Sequence, residues 1–256
     1  MPTALITGGS SGLGAAFARA LAARGDDLIL IARDKARLDT VAEGLRTSYD
    51  VSVETLAADL ADRGALHSVQ DRLADPDRPV ETLINNAGYG LRSRLTAPDL
   101  GEQETALDVM CRAVLVLGGT AGRVMRERGR GTIVNMSSLA GMLTMGGYSP
   151  IKAWVTAYSE ALAVELTGTG VQVTAVLPGW VRTEFHQRAD IDMSRIPGIG
   201  WSDADDVVRR CLRDVARHRV LSVPTVRYRA ASGFLHVVPR SAIRRISRAV
   251  MSTRHQ

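Results

Sequence analysis

The segments ALIT (4–7), LILIA (28–32), VSVETLA (51–57), TLIN (82–85), GTIVNM (131–136) and VQVTAVL (171–177) are short apolar runs. Between them, near 12–24, 34–48, 62–74, 102–128 and 149–167, apolar residues recur at helical spacing. This alternation is the tightest constraint on the fold. A strand that is followed by a crossover helix pairs in parallel with the next strand, and helices then cover both faces of the sheet. The near-continuous Val, Ile and Leu content of the runs fits strands buried on both sides. A helix over Asp203–His218 and a last strand near VLSVP (220–224) bring the expectation to about seven strands. The predicted architecture is α/β, a doubly wound parallel sheet with helices on both faces. Such sheets bind ligands beyond the carboxyl ends of their strands.

With 256 residues, 45% of them hydrophobic and 23% charged, the chain can bury one sizeable core. A single domain is expected over 1–225, followed by a basic amphipathic helical extension over 226–256. Cys111 and Cys211 stand alone, with no C-x-x-C pair and no disulfide framework, which suits a reducing cytoplasm. No metal site is indicated. The start, MPTALITGG, has no basic leader, and no apolar run reaches the roughly 18 residues of a membrane span. Net charge is +5 but unevenly placed: Asp205–Gln256 holds twelve arginines against three aspartates.

TGGSSGLG, Thr7 to Gly14, joins the first strand to the first helix. Gly8 and Gly12 permit a tight turn and close approach of backbone to phosphate, and Gly14 lets the helix pack near the sheet. The helix N-terminus then offers unpaired N–H groups and a positive dipole end to a pyrophosphate. The second strand ends at Ala32-Arg33, where a reader of the NAD ribose would place an acid. The Arg33 guanidinium instead suits the 2′-phosphate of NADP, so NADP is favoured over NAD. The plain alternative is an exposed arginine compensated by Asp34.

Further along come NNAG (85–88), NMSS (135–138), YSPIK (148–152) and LPGWVRT (177–183). This ordered set, from Pro2 to about Glu184, resembles the short-chain dehydrogenase/reductase family, whose fold is Rossmann-type. The resemblance implies that Ser10, Ser11 and Leu13 line the phosphate turn. It likewise implies that Asp59 and Leu60 hold the adenine and that Asn86, Ala87 and Gly88 flank the ribose. Pro178, Gly179, Val181 and Thr183 would face the nicotinamide. NNAG also reads simply as a turn at a strand end.

Reducing a carbonyl needs a hydride and a proton. A free tyrosine, with a pKa of about 10, exchanges protons poorly at neutral pH, and a nearby ammonium favours its phenolate. Four-residue spacing on a helix puts Tyr148 and Lys152 on one face. Tyr148 is therefore read as general acid/base, and Lys152 as its tuner and an anchor for the cofactor ribose. Ser138 is read as the hydroxyl that steadies the developing alkoxide, and Ser137 as structural.

Two departures from the family pattern stand out. Within LDVMCRAVLVL, Met110 takes the place of an asparagine that in the family bends the helix and holds a water linked to the lysine. Methionine sulfur accepts weakly and donates nothing. Ser138 and Tyr148 are also closer in sequence than is usual, and Pro150 suggests a helix with Ser149 as N-cap and Pro150 as first residue, leaving Tyr148 just outside. The alternative to an enzyme is accordingly an NADP(H)-binding sensor or scaffold with little catalysis.

The stretch 180–202 reads as a lid. Trp180, Phe185 and His186, with Trp201, point to an apolar carbonyl or alcohol substrate, although lid aromatics also simply pack the loop. The arginine-rich end reads first as a helix docked on its own domain or a partner subunit. Weak membrane-surface contact is the alternative, and no specific nucleic-acid reader accompanies it. The family resemblance implies a homodimer or homotetramer paired through the long helices 102–128 and 149–167.

Overall fold

The computed structural model describes residues 1–183 and 200–252. Among them, seven parallel strands form one sheet in the order β3-β2-β1-β4-β5-β6-β7. The strands are β1 (Thr3–Thr7), β2 (Asp27–Ala32), β3 (Val53–Ala57), β4 (Thr82–Asn85), β5 (Gly131–Met136), β6 (Val171–Val176) and β7 (Leu221–Ser222). The chain runs outward from β1 to β3 and then returns to place β4 on the other side of β1. That reversal opens a crevice at the carboxyl ends of β1 and β4.

The sheet is buried on both faces because neighbouring residues of a strand point to opposite sides. In β2, Leu28 and Leu30 join a core layer with Phe17 and Leu21 of α1 (Gly12–Ala22) and Leu38 of α2 (Lys35–Ser48). Ile29 and Ile31 join the opposite layer, with Leu66 and Val69 of α3 (Arg63–Ala74) and Leu117 and Ala121 of α5 (Ala113–Glu127). Short polar side chains start several helices: Asp34 accepts from the Arg37 N–H at 3.0 Å, and Asp62 from the Ala65 N–H at 2.7 Å. These caps satisfy donors that the first turn leaves unpaired.

The helix expected over 102–128 is interrupted. It runs as α4 (Gly101–Leu107), a π turn (Asp108–Arg112) and α5. The stretch Gly101–Glu127 is long and apolar enough to cross a membrane by length and composition, yet half of its most apolar window is buried inside the protein. The last strand is also shorter than expected, with only Leu221 and Ser222 paired to β6.

The helix expected at 149–167, α6 (Tyr148–Glu165), starts two residues earlier than the proline suggested, after Gly147 as N-cap. Tyr148 is therefore inside the helix and Pro150 is its third residue, where the missing N–H is still unneeded. Ser149 is held in this helical position by tertiary contacts. Its hydroxyl donates to the Ala140 carbonyl at 2.7 Å and accepts from the Met145 N–H at 3.0 Å.

After β6 come α7 (Ala204–Val215), β7, α8 (Val226–Val237) and α9 (Arg240–Ser252). The C-terminal extension is thus two helices, parted at Val238-Pro239. Helix α9 docks through Ile243 and Ser247, both buried, while Arg240, Arg244, Arg245 and Arg248 stay in water.

A buried polar chain ties the centre of the sheet to α6. The Asn85 amide donates to Asn135 Oδ1 at 2.9 Å, the Asn135 amide donates to Ser159 Oγ at 2.9 Å, and Ser159 Oγ donates to the Val155 carbonyl at 2.6 Å. Asn135→Leu should keep the volume but orphan the Asn85 amide, lowering unfolding free energy by roughly 1–3 kcal/mol. Urea denaturation checks this; an unchanged midpoint would remove the chain from the forces that hold the fold.

Candidate active site

The glycine-rich turn occupies the crevice between β1 and β4. Gly8 and Gly12 have φ of 68° and 53°, in the left-handed region that a side chain disfavours. A Cβ on Gly14 would lie 2.6 Å from Asn86 Nδ2 and 2.8 Å from Gly8 C, so α1 can approach the turn only with a glycine there. Gly14 itself is buried behind the crevice. Ser11, the N-cap of α1, makes no side-chain cap hydrogen bond. Across the crevice, Asn86 is part of the scaffold as well as its wall: its amide donates to the carbonyls of Thr7 at 2.9 Å and Gly8 at 3.2 Å. Thr7 Oγ1 in turn accepts from the N–H groups of Asn86 and Ala87.

One cavity of about 1780 Å³ runs from this turn to the start of α6. Sites for a single drug-sized ligand occupy roughly 300–1,000 Å³, so this one has room for a dinucleotide and a second molecule. Its wall includes Gly8, Ser10, Ser11, Gly12, Leu13, Arg33, Asp59, Leu60, Asn86, Ala87 and Gly88. Ser138, Tyr148, Lys152, Pro178, Gly179, Trp180, Val181 and Thr183 line the same space. All the cofactor-binding candidates except Gly14 therefore border one space. Phe185 and His186 lie outside the described residues. Trp201 packs against Trp180 with ring centroids 6.0 Å apart.

The turn fits a dinucleotide phosphate on this chain's own geometry. Glycines stand where a Cβ would fill the cradle, and the α1 N-terminus opens toward it. Arg33 is exposed and makes no hydrogen bond or ion pair among the described residues. Asp34 serves as the α2 N-cap instead. Arg37, which the motif reading did not include, also borders the cavity and donates from Nε to the Ser10 carbonyl at 3.0 Å. Its only sequence signal is its place four residues after Arg33 on a helix start.

At the other end, Ser138, Tyr148 and Lys152 converge. Ser138 caps a short 3₁₀ turn (Leu139–Met142), accepting from the Ala140 N–H at 3.1 Å, and its side chain hydrogen-bonds the Tyr148 phenol. Ser137 is buried; its hydroxyl donates to the Lys152 carbonyl at 2.7 Å and lies 2.6 Å from Thr156 Oγ1, a structural arrangement. Lys152 Nζ donates to the Met136 carbonyl at 2.8 Å and lies 5.5 Å from the Tyr148 ring centroid. The ammonium thus faces the ring and a strand carbonyl.

This geometry changes the expected acidities. Burial pushes the Tyr148 phenol well above its ordinary value, with the Ser138 hydrogen bond pulling the other way. The expected lowering by Lys152 is not found in the protein alone, because burial also draws the Lys152 amine down to about 8. Neighbouring Cys111 is pushed up to about 11, again by burial. Met110 is buried in the π turn; a Cβ on Gly88 would lie 2.9 Å from Met110 Sδ and 3.7 Å from Lys152 Nζ. The bend persists with methionine at that place. Tyr228 of α8, missed by the motifs, also borders the cavity, and no sequence pattern marked it.

The Lys152 shift has a defined effect on stability. The unfolded chain keeps this proton to its ordinary 10.5, the native one only to about 8. Between these values the unfolded state binds more protons, so stability rises with pH and is lost as pH falls through about 8. Relative to Lys152→Met, the parent should gain stability across this window, by up to about 1.4 kcal/mol per pH unit. Parallel pH profiles of the two urea midpoints would show that the amine titrates normally.

A model of the short chain dehydrogenase family matches residues 2–194. Among curated proteins, the chain is 39% identical to sulfoacetaldehyde reductase 2 of Chromohalobacter salexigens, over 71% of this chain and 73% of that one. Among solved structures, it is similar to a short-chain dehydrogenase of Sphingobium yanoikuyae in complex with NADPH, with 35% identity and a TM-score of 0.84 over 94% of this chain and 97% of that one. It is also similar to the bulky-bulky ketone specific alcohol dehydrogenase of Comamonas testosteroni, with 30% identity and a TM-score of 0.80 over 94% and 96% of the two chains. The parallel seven-stranded sheet, the glycine turn and the matched residues agree: this chain is an oxidoreductase of the short-chain dehydrogenase family.

Proposed function

We propose that this oxidoreductase interconverts a carbonyl and an alcohol on an apolar small molecule, with NADP(H) as its redox partner. The observation that carries this reading is the meeting of Ser138, Tyr148 and Lys152 on the wall of the cavity that begins at the glycine-rich turn. NADPH, when bound, supplies the hydride. Ser10, Ser11, Gly12 and Leu13 would hold its phosphates at the α1 N-terminus, and Asp59, Leu60, Asn86, Ala87 and Gly88 its adenosine half. Pro178, Gly179, Val181 and Thr183 would border the nicotinamide.

The catalytic roles follow from hydrogen bonding. Tyr148, protonated in its buried setting, donates its phenolic proton to the oxygen of the carbonyl being reduced. Ser138 holds the same oxygen and stabilises charge as it develops. Lys152 supplies positive charge beside the ring, which favours the phenolate left after transfer. Leu91, Leu143, Met145 and Leu235 line the cavity and support an apolar substrate. The Comamonas relative, specific for bulky-bulky ketones, agrees with that wall. Arg92 and Arg94 also border the cavity, so sulfoacetaldehyde belongs in the substrate panel.

Pairing of two copies through α5 and α6 is supported by exposed Leu115 and Val164 on those helices. The buried Ile243 of α9 supports docking of that helix on its own domain over a membrane-surface role.

The test is NADPH binding by fluorescence followed by turnover on ketones and aldehydes. Binding with no turnover on any of them would favour a sensor, the reading that Met110 motivates. Tyr148→Phe should lower kcat by roughly 10²–10⁴-fold and leave NADPH affinity intact. Retained turnover would remove Tyr148 from the mechanism. Arg33→Ala should weaken NADPH by roughly tenfold to a hundredfold, the loss of one charge-assisted hydrogen bond, and leave NADH binding unchanged. Equal effects on both dinucleotides would assign Arg33 elsewhere.

A further inference from the structure

Helix α8 follows the last strand and opens the extension over 226–256 that the sequence reads as basic, amphipathic and helical. Its first turn is fastened to the site. The Tyr228 ring lies against Gly179: a Cβ there would be 2.6 Å from Tyr228 Cε1 and nearer still to Cζ, so this contact needs a glycine. The Tyr228 hydroxyl accepts from the Trp180 N–H at 3.2 Å and donates to the Gly200 carbonyl. Arg227 donates to the Trp201 carbonyl at 2.6 Å and to Ser202 Oγ at 3.1 Å. Val181 and Ser202 form a bridge, with the Ser202 N–H donating to the Trp180 carbonyl at 2.8 Å and the Arg182 N–H to the Ser202 carbonyl at 2.9 Å. The start of α8 is therefore bonded to both sides of this bridge, beside the segment that lines the cavity.

The following turns of α8 divide their faces. Ala231 and Leu235, three and seven residues after Tyr228, share its face and border the same cavity as Tyr148. Phe234 and Val237 point away, 60% and 80% exposed. The helix is braced from behind: Ser232 Oγ donates to Met142 Sδ at 3.5 Å, within the turn that follows Ser138.

We propose that α8 forms the wall against which the larger apolar group of the substrate packs. Ala231 and Leu235 set the size that fits, and Tyr228 is the positioning residue that holds this wall against Gly179. The proposal rests on the carbonyl-reducing reading and deepens it to a size-selective class: ketones with a bulky apolar substituent.

The experiment uses the full chain with NADPH, propanal, and the largest aryl ketone that the parent reduces in a series from acetophenone to benzophenone. Ala231→Phe should lower kcat/KM for that ketone by roughly 10–200-fold, the span expected when an apolar pocket loses room, and leave propanal nearly unchanged. Leu235→Ala should shift the preference toward larger ketones. Tyr228→Phe keeps the ring but loses both hydroxyl contacts; it should raise KM for the aryl ketone with the dissociation constant of NADPH unchanged. Equal losses for propanal and the aryl ketone in Ala231→Phe, or no loss for either, would overturn the proposal. Reduction of no carbonyl by the parent would instead overturn the reading beneath it.

Discussion

The placement of the reactive groups depends on a seam of buried polar contacts between β5 and α6. Asn135 reaches Ser159, Ser137 reaches both Thr156 and the Lys152 carbonyl, and the Lys152 amine returns to the Met136 carbonyl. Each such bond contributes only about 1 kcal/mol net, but a buried donor or acceptor left without its partner costs about 1–3 kcal/mol. Sliding α6 along the strand by one turn, about 5.4 Å, would orphan all of them together. Apolar packing alone tolerates such a shift far better, because Leu, Ile and Val contacts are not directional. The seam therefore sets the register of α6, and with it the position of Tyr148 at the strand ends.

The same burial that makes the seam stringent also sets the acidities. A dry Tyr148 favours its neutral phenol, and a dry Lys152 resists its own charge. Both effects oppose the simple picture of an ammonium lowering a neighbouring phenol. What remains for Lys152 is directional: its amine is aimed by a backbone carbonyl and held over the ring face. It is burial, not the amine, that favours the protonated Tyr148 phenol, the state from which the proposed reduction would start.

Much of the architecture was legible because its signals are local and periodic. The run LILIA alternates between two core layers, and Asp34 and Asp62, which cap helices, stand where the helical patterns 34–48 and 62–74 begin. The dinucleotide end was legible from glycines whose conformations the turn demands. The start of α6 was not, because Ser149 is held helical by Ala140 and Met145, partners that no local propensity reveals. The pairing of β7 through only two residues, and the division of the basic tail at Pro239, likewise follow from where those segments pack. Tyr228 was invisible for a similar reason. Its contact with Gly179 joins residues far apart in sequence, and the glycine already had a sufficient explanation in its motif.

Met110 separates two jobs that the family resemblance assigns to one asparagine. The first is shape. The π turn at Asp108–Arg112 is present with methionine, whose buried thioether fills the space beneath Gly88, so packing suffices to sustain the bend. The second is polar contact with the lysine neighbourhood. A thioether has no hydrogen to donate and accepts weakly, so residue 110 cannot pass a proton onward. The Lys152 amine takes its orientation from the Met136 carbonyl at the end of β5, which belongs to the sheet and not to the bent helix. Its hydrogen bond therefore does not involve the residue at 110. On the proposed reaction, such a chain would keep the geometry for one proton transfer from Tyr148 but lack a side chain at 110 able to restore that proton, so reprotonation between turnovers would be the step most exposed to the substitution.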